Sequence, residues 1–229
     1  TSKAIVLHED TESLYVLVAT RSSASTERAY KATVVLSSAI TTPTTHPQAI
    51  VLVFNGANQV RIGSRQPVNV PPFDIAAVNA SFAGRTEDAI QQIVQQVRAD
   101  YAGLNVTFYR DTDPDVPTDG ATSIYFGTSD TRLLGLADNI DPYNNNPRQS
   151  AIIYTDTFSL FNQLRPTFAA TVQVLANVAS HETGHLLGLR HCADSEELMD
   201  VTASARQMLA DQRFKTANLH ASVLPFGVQ

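Results

Sequence analysis

Residues 181–191 of this 229-residue chain read HETGHLLGLRH, and no other stretch restricts the fold as much. His181 and His185 stand four apart. On an α-helix that spacing puts both on one face, with Cβ atoms about 5–6 Å apart, so two imidazoles can reach a common ion at about 2.0–2.1 Å. Gly188 follows three residues later. It can take a positive φ, which lets the chain leave the helix in a sharp turn. His191 can then swing back toward the first two rings. Three nitrogens leave the fourth tetrahedral position of a zinc ion open to water, the arrangement of a reactive site and not of a closed structural one. Glu182 adjoins His181 and precedes His185 by three. It is well placed to take a proton from that water, whose pKa zinc lowers from about 15.7 to about 7.

Composition removes several other functions. The net charge is −6, with no basic cluster, so neither nucleic acid nor an anionic membrane surface is an expected partner. Cys192 is the single cysteine, which excludes an internal disulfide and a cysteine-rich zinc finger. No apolar run reaches the roughly 18 residues of a membrane span. The first ten residues, TSKAIVLHED, lack the apolar stretch of a signal peptide.

The pattern along the chain predicts an α+β fold with a mixed sheet. Residues 13–20 and 30–36 are strand-like, and TTPTTHP at 41–47 has linker composition. Residues 1–46 therefore form an expected β-rich extension or pro-segment, and 47–229 the main domain. In the latter, strands are expected at 50–54 and 59–62, joined as a hairpin through Asn55-Gly56. Residues 64–72 form a proline-containing loop. A helix follows at 86–101, capped by Thr86 and ended by Gly103. Further strands are expected at 104–109, 122–127, 133–140 and 151–155. A long helix spans 167–187, and a last helix 203–215.

The motif HETGHLLGLRH, with Met199 eight residues after His191, resembles the metzincin pattern HExxHxxGxxH, and its short spacing to a Leu-Met pair is similar to the matrixin branch. The resemblance implies a metzincin-like zincin fold: a twisted mixed sheet with an active-site helix and a backing helix, an upper subdomain to residue 188, and a small lower subdomain, 189–229, with a Met-turn at Met199 and a C-terminal helix. It implies a zinc endopeptidase in which His181, His185 and His191 hold the ion and Glu182 is the general base. Gly135, Leu136 and Ala137 resemble the edge strand that pairs with a bound peptide. The implied partner is a peptide or protein substrate, the implied state a monomer, the implied setting secreted. Two departures stand out. Cys192 occupies a position where matrixins commonly carry serine. No tyrosine stands two residues past Met199, so no tyrosine ligand is expected.

Other readings compete. A zinc hydrolase of a non-peptide amide would use the same centre, and a catalytically silent binding module would keep the fold alone. Asp138, Asp141 and Asn144 cluster oxygen donors that suit a calcium ion, although such loops are commonly plain turns.

Overall fold

The computed structural model describes residues 47–220, apart from Pro142, Tyr143 and Asn145. The chain divides after Thr44, and the described residues belong to the second unit. The strands expected at 13–20 and 30–36, and the extension 1–46, lie outside the described residues.

The fold is α+β. A five-stranded sheet is built from β1 (Gln48–Val53), β4 (Val106–Arg110), β5 (Thr122–Phe126), β6 (Gly135–Ala137) and β7 (Ser150–Ile153), in the order β4-β1-β5-β7-β6. All neighbours are parallel except β6, which runs antiparallel to β7 at the edge. A smaller ribbon pairs β2 (Ala57–Val60) with β3 (Val68–Val70). Four helices are described: α1 (Ile75–Val78), α2 (Thr86–Asp100), α3 (Phe168–Leu186) and α4 (Ala205–Met208).

Strand alternation separates two cores. Ile50, Leu52, Ile124, Phe126, Ala151 and Ile153 face α2 and α3. Ile152 faces the other way, onto Val60, Ile62 and Val70 of the ribbon side. With both faces covered, β1 reads as a continuous apolar run, as parallel strands do.

Several local expectations need correction. Residues 50–54 and 59–62 do not form a hairpin. Both edges of β1 are taken by β4 and β5, so no hydrogen-bonding edge remains for β2, which pairs with β3 inside the expected proline loop. Gly56 nevertheless needs its residue type. Its φ is +80°, and a Cβ there would lie 2.7 Å from the Val70 carbonyl oxygen and 2.8 Å from Pro72 N. Gly56→Ala is expected to destabilise the fold by at least about 1 kcal/mol, read as a lower urea midpoint at an unchanged slope.

Thr86 does not cap α2. Arg85 holds that position without a side-chain capping bond, and the Thr86 hydroxyl donates to Asp74 instead. Sequence reading also missed α1 and the 3-10 segment Thr155–Leu164. The helix expected at 203–215 shrinks to the single turn α4, opened by a Ser204–Gln207 capping box. The reason lies in α3. Asn177 Nδ2 donates to the carbonyls of Met208 and Ala210, at 3.0 and 2.7 Å, and Arg213 turns away to bridge Glu197. The chain past α4 is thus held by α3 and by the Glu197 segment on a path that a continuing helix would not follow.

The end of α2 meets the middle of α3 at a buried polar contact. Ser180 Oγ donates to Asp100 at 2.6 Å, and Tyr101 Oη donates to the Ser180 carbonyl at 2.7 Å. Burial, aided by repulsion from Asp211 and opposed by Ser180 and Arg213, raises the Asp100 pKa from 3.8 to about 6. The folded state therefore holds this proton more tightly than the unfolded chain. Its contribution is full below about pH 4 and is lost as pH rises to about 6. Asp100→Asn is expected to remove that loss. Across this window the stability of the variant relative to wild type should rise, which chemical denaturation at a series of pH values reads directly.

Candidate metal centre

Helix α3 is the scaffold. Thr167 caps its start by accepting from the Ala170 N–H. It is lined with Ala, Val and Leu, and most of its residues from Thr171 to Leu186 are buried. It ends as the sequence predicts. Gly188 takes φ +98°, its N–H bonds the His185 carbonyl at 2.9 Å, and the Leu189 N–H bonds the Gly184 carbonyl at 2.9 Å. This paired closure is the Schellman arrangement, and it needs the left-handed residue at Gly188.

The turn delivers His191 to the two helical histidines. The ring centroids lie 4.7 Å apart for His181 and His185, 5.2 Å for His181 and His191, and 4.6 Å for His185 and His191. One nitrogen of each ring lies within 4.8 Å of those of the other two.

Ring tautomers follow from the neighbours. His181 Nδ1 faces the Leu198 carbonyl at 2.7 Å, and His185 Nδ1 faces the Leu189 carbonyl at 3.0 Å. A carbonyl oxygen only accepts, so each Nδ1 carries the proton and each Nε2 offers a lone pair. His185 Nε2 lies 3.0 Å from His191 Nε2. Two nitrogens bound at about 2.0–2.1 Å to one tetrahedral ion would be about 3.3 Å apart. The donor set thus suits zinc in chemistry and in spacing. Burial also lowers the pKa of His181 to about 3 and of His185 to about 4, and pushes that of His191 down, so all three rings are neutral and able to ligate near neutral pH.

Glu182 lies beside these rings, 7% exposed. Burial raises its pKa to about 8, against the lowering effect of a bond from the Ala137 backbone N–H. Its carboxylate sits beneath β6, where a Cβ on Gly135 would be 2.6 Å from Glu182 Oε1. Gly135, Leu136 and Ala137 also line the cleft over the histidines, a cavity of about 680 Å³ whose apolar wall includes Val178, Leu198, Val201 and Met208.

Met199 is 2% exposed and packs against α3 at Gly184. Its Sδ would be 2.5 Å from a Cβ on Gly184, so only glycine at that position admits the sulfur.

The remaining expected sites fare differently. Asp138, Asp141 and Asn144 do not converge on a cation. Asp138 accepts from the Gly63 and Ser150 N–H groups, Asp141 accepts from Asn146 N and Gln149 Nε2, and Asn144 Nδ2 donates to Gln48. The Asp138 and Asp141 oxygens are thus taken by N–H donors and Asn144 bonds through its amide nitrogen, so the calcium expectation is not supported. Among the described residues the His181, His185 and His191 trio is the group of three that could hold a metal.

Sequence reading missed the Leu189 and Leu198 carbonyls that orient the rings, because a backbone acceptor leaves no residue-type signal. It also made no use of His220. The His220 N–H bonds the His191 carbonyl at 3.0 Å, so the C-terminal segment braces the third histidine.

A family model described as matrixin matches residues 76–217. Among solved structures, the crystal structure of archaemetzincin from Methanopyrus kandleri is similar at 13% identity, covering 74% of this chain and 89% of that chain with a TM-score of 0.39. No curated protein matches the chain in sequence.

Proposed function

Because this chain belongs to the matrixin family of zinc metallopeptidases, we propose that it is an endopeptidase in which His181, His185 and His191 hold one zinc ion and Glu182 is the general base. The observation that carries this reading is the convergence of the three rings, two of them held by carbonyl acceptors with their Nε2 lone pairs free to ligate. Zinc bound there would polarise the scissile carbonyl and acidify the attacking water.

The chain's own groups account for the rest. Glu182 takes the proton of the attacking water and hands it to the leaving amine. Among the described residues no strand pairs with the outer edge of β6, so an extended peptide can add to it antiparallel, with its backbone held over Glu182. Met199 closes the floor of the centre as the Met-turn. A location outside the cell is part of the same proposal, and immunodetection in medium against cell lysate would test it.

The decisive experiment joins metal analysis to digestion of casein and of a peptide library. One zinc per chain, internal cleavage, loss with a chelator and return with zinc are expected. Fully zinc-loaded protein that cuts neither substrate would overturn the proposal. Zinc binding should also stabilise the fold by mass action, by about 2.7 kcal/mol at a free concentration 100 times Kd. A thermal scan with and without chelator checks that result.

A further inference from the structure

Glu197 is 5% exposed, so its carboxylate is largely removed from solvent. Burying a carboxylate is costly unless donors compensate for lost water. Here Oε2 accepts from the Cys192 thiol at 3.0 Å and from the backbone N–H of Met199. Both donors flank the centre. Cys192 directly follows His191, and its own N–H bonds the Met199 carbonyl at 2.9 Å. Between Glu197 and Met199 stands Leu198, whose carbonyl orients His181 at 2.7 Å. One oxygen atom thus joins the segment carrying His191 to the turn that sets His181.

We infer that Glu197 is a positioning residue for the metal centre: by bonding Cys192 Sγ and Met199 N together, it holds the Leu198 carbonyl against His181 and the His191 segment against the turn. The inference rests on the zinc reading above. It also gives Cys192 a role, as a thiol donor to Glu197 and not as a ligand. An apolar side chain at 197 would fill the space but would leave the Met199 N–H without an acceptor and Leu198 free to rotate its peptide plane.

The test is zinc affinity of the purified full chain, measured by competition with a chromophoric chelator. It is read beside the visible spectrum of the cobalt-substituted protein and the unfolding midpoint of the metal-free form. Outer partners of metal-ligating histidines typically change affinity by about 10–100-fold. Glu197→Ala is expected to weaken zinc binding within that range and to shift the cobalt bands. Glu197→Gln, which keeps an oxygen for Met199 N, is expected to recover most of the affinity. A purely structural role would instead lower the metal-free midpoint in both variants and leave the cobalt spectrum of the folded fraction unchanged.

Wild-type affinity in Glu197→Ala, or equal losses in both variants, would overturn the inference while leaving the zinc reading intact. Should Glu197→Ala fail to fold, Cys192→Ala decides: weakened zinc binding supports the inference, and unchanged binding rejects it. A wild type that binds no zinc overturns both.

Discussion

Glu182→Gln is expected to lower peptide hydrolysis by about 10³-fold, within the 10²–10⁴ range of a positioned general base, while leaving one zinc per chain. The amide keeps the shape of the side chain and can still accept the Ala137 N–H, but it cannot take a proton. In the metal-free protein, burial raises the carboxyl pKa to about 8. A divalent cation beside it favours the ionised form and draws that value back down, so the base is available near neutral pH. The measurement is initial rate on a fluorogenic peptide, with metal content and unfolding midpoint determined on the same preparation. A variant within about tenfold of wild type, with zinc in place, would remove Glu182 from the mechanism.

Gly135→Ala is expected to lower kcat by about 10²-fold with little change in zinc affinity. A Cβ there would meet Glu182 Oε1 at 2.6 Å, Glu182 Cγ at 2.7 Å and Val178 Cγ1 at 2.9 Å. The two shortest of these contacts are to Glu182, so its side chain is the group displaced most. A shift of about 1 Å in a catalytic group can cost about 10²-fold. The same residue pairs with Ile153 in β7, so the edge of the sheet and the general base are set by one close contact. The variant should keep its His181, His185 and His191 geometry, because the three atoms nearest the new methyl group belong to Glu182 and Val178 and not to those rings. A loss confined to KM, with kcat intact, would show that Gly135 acts on peptide docking and not on Glu182.

The centre and the fold were legible to different degrees. The helical spacing of His181 and His185, the stop at Gly188 and the return of His191 depend on contacts within eleven residues of chain, so periodicity and turn chemistry suffice to predict them. The hairpin at Asn55-Gly56 failed although its local signal was strong. Which strand lies beside β1 depends on α2 crossing over the sheet to bring β4 back in parallel, and that competition is not written in the turn. The last helix failed for a similar reason. Residues 203–215 have helical composition, but Asn177, some thirty residues upstream, claims the carbonyls of Met208 and Ala210. The oxygen-rich loop at Asp138 and Asp141 was legible as a cluster of acceptors. Whether a cation or backbone N–H groups satisfy them depends on how Ser150 and Gly63 approach.

Sequence alone therefore determined the identity of the chemical groups and their order on one helix, since both are local properties of a short segment. Tertiary structure alone decided what orients those groups. The Leu189 and Leu198 carbonyls select the ring tautomers, Gly135 admits Glu182, and Glu197 ties the turn to the third histidine. Most of these partners are backbone atoms, absent side chains or residues far along the chain. Their effect arises only when packing brings them within hydrogen-bond or van der Waals distance.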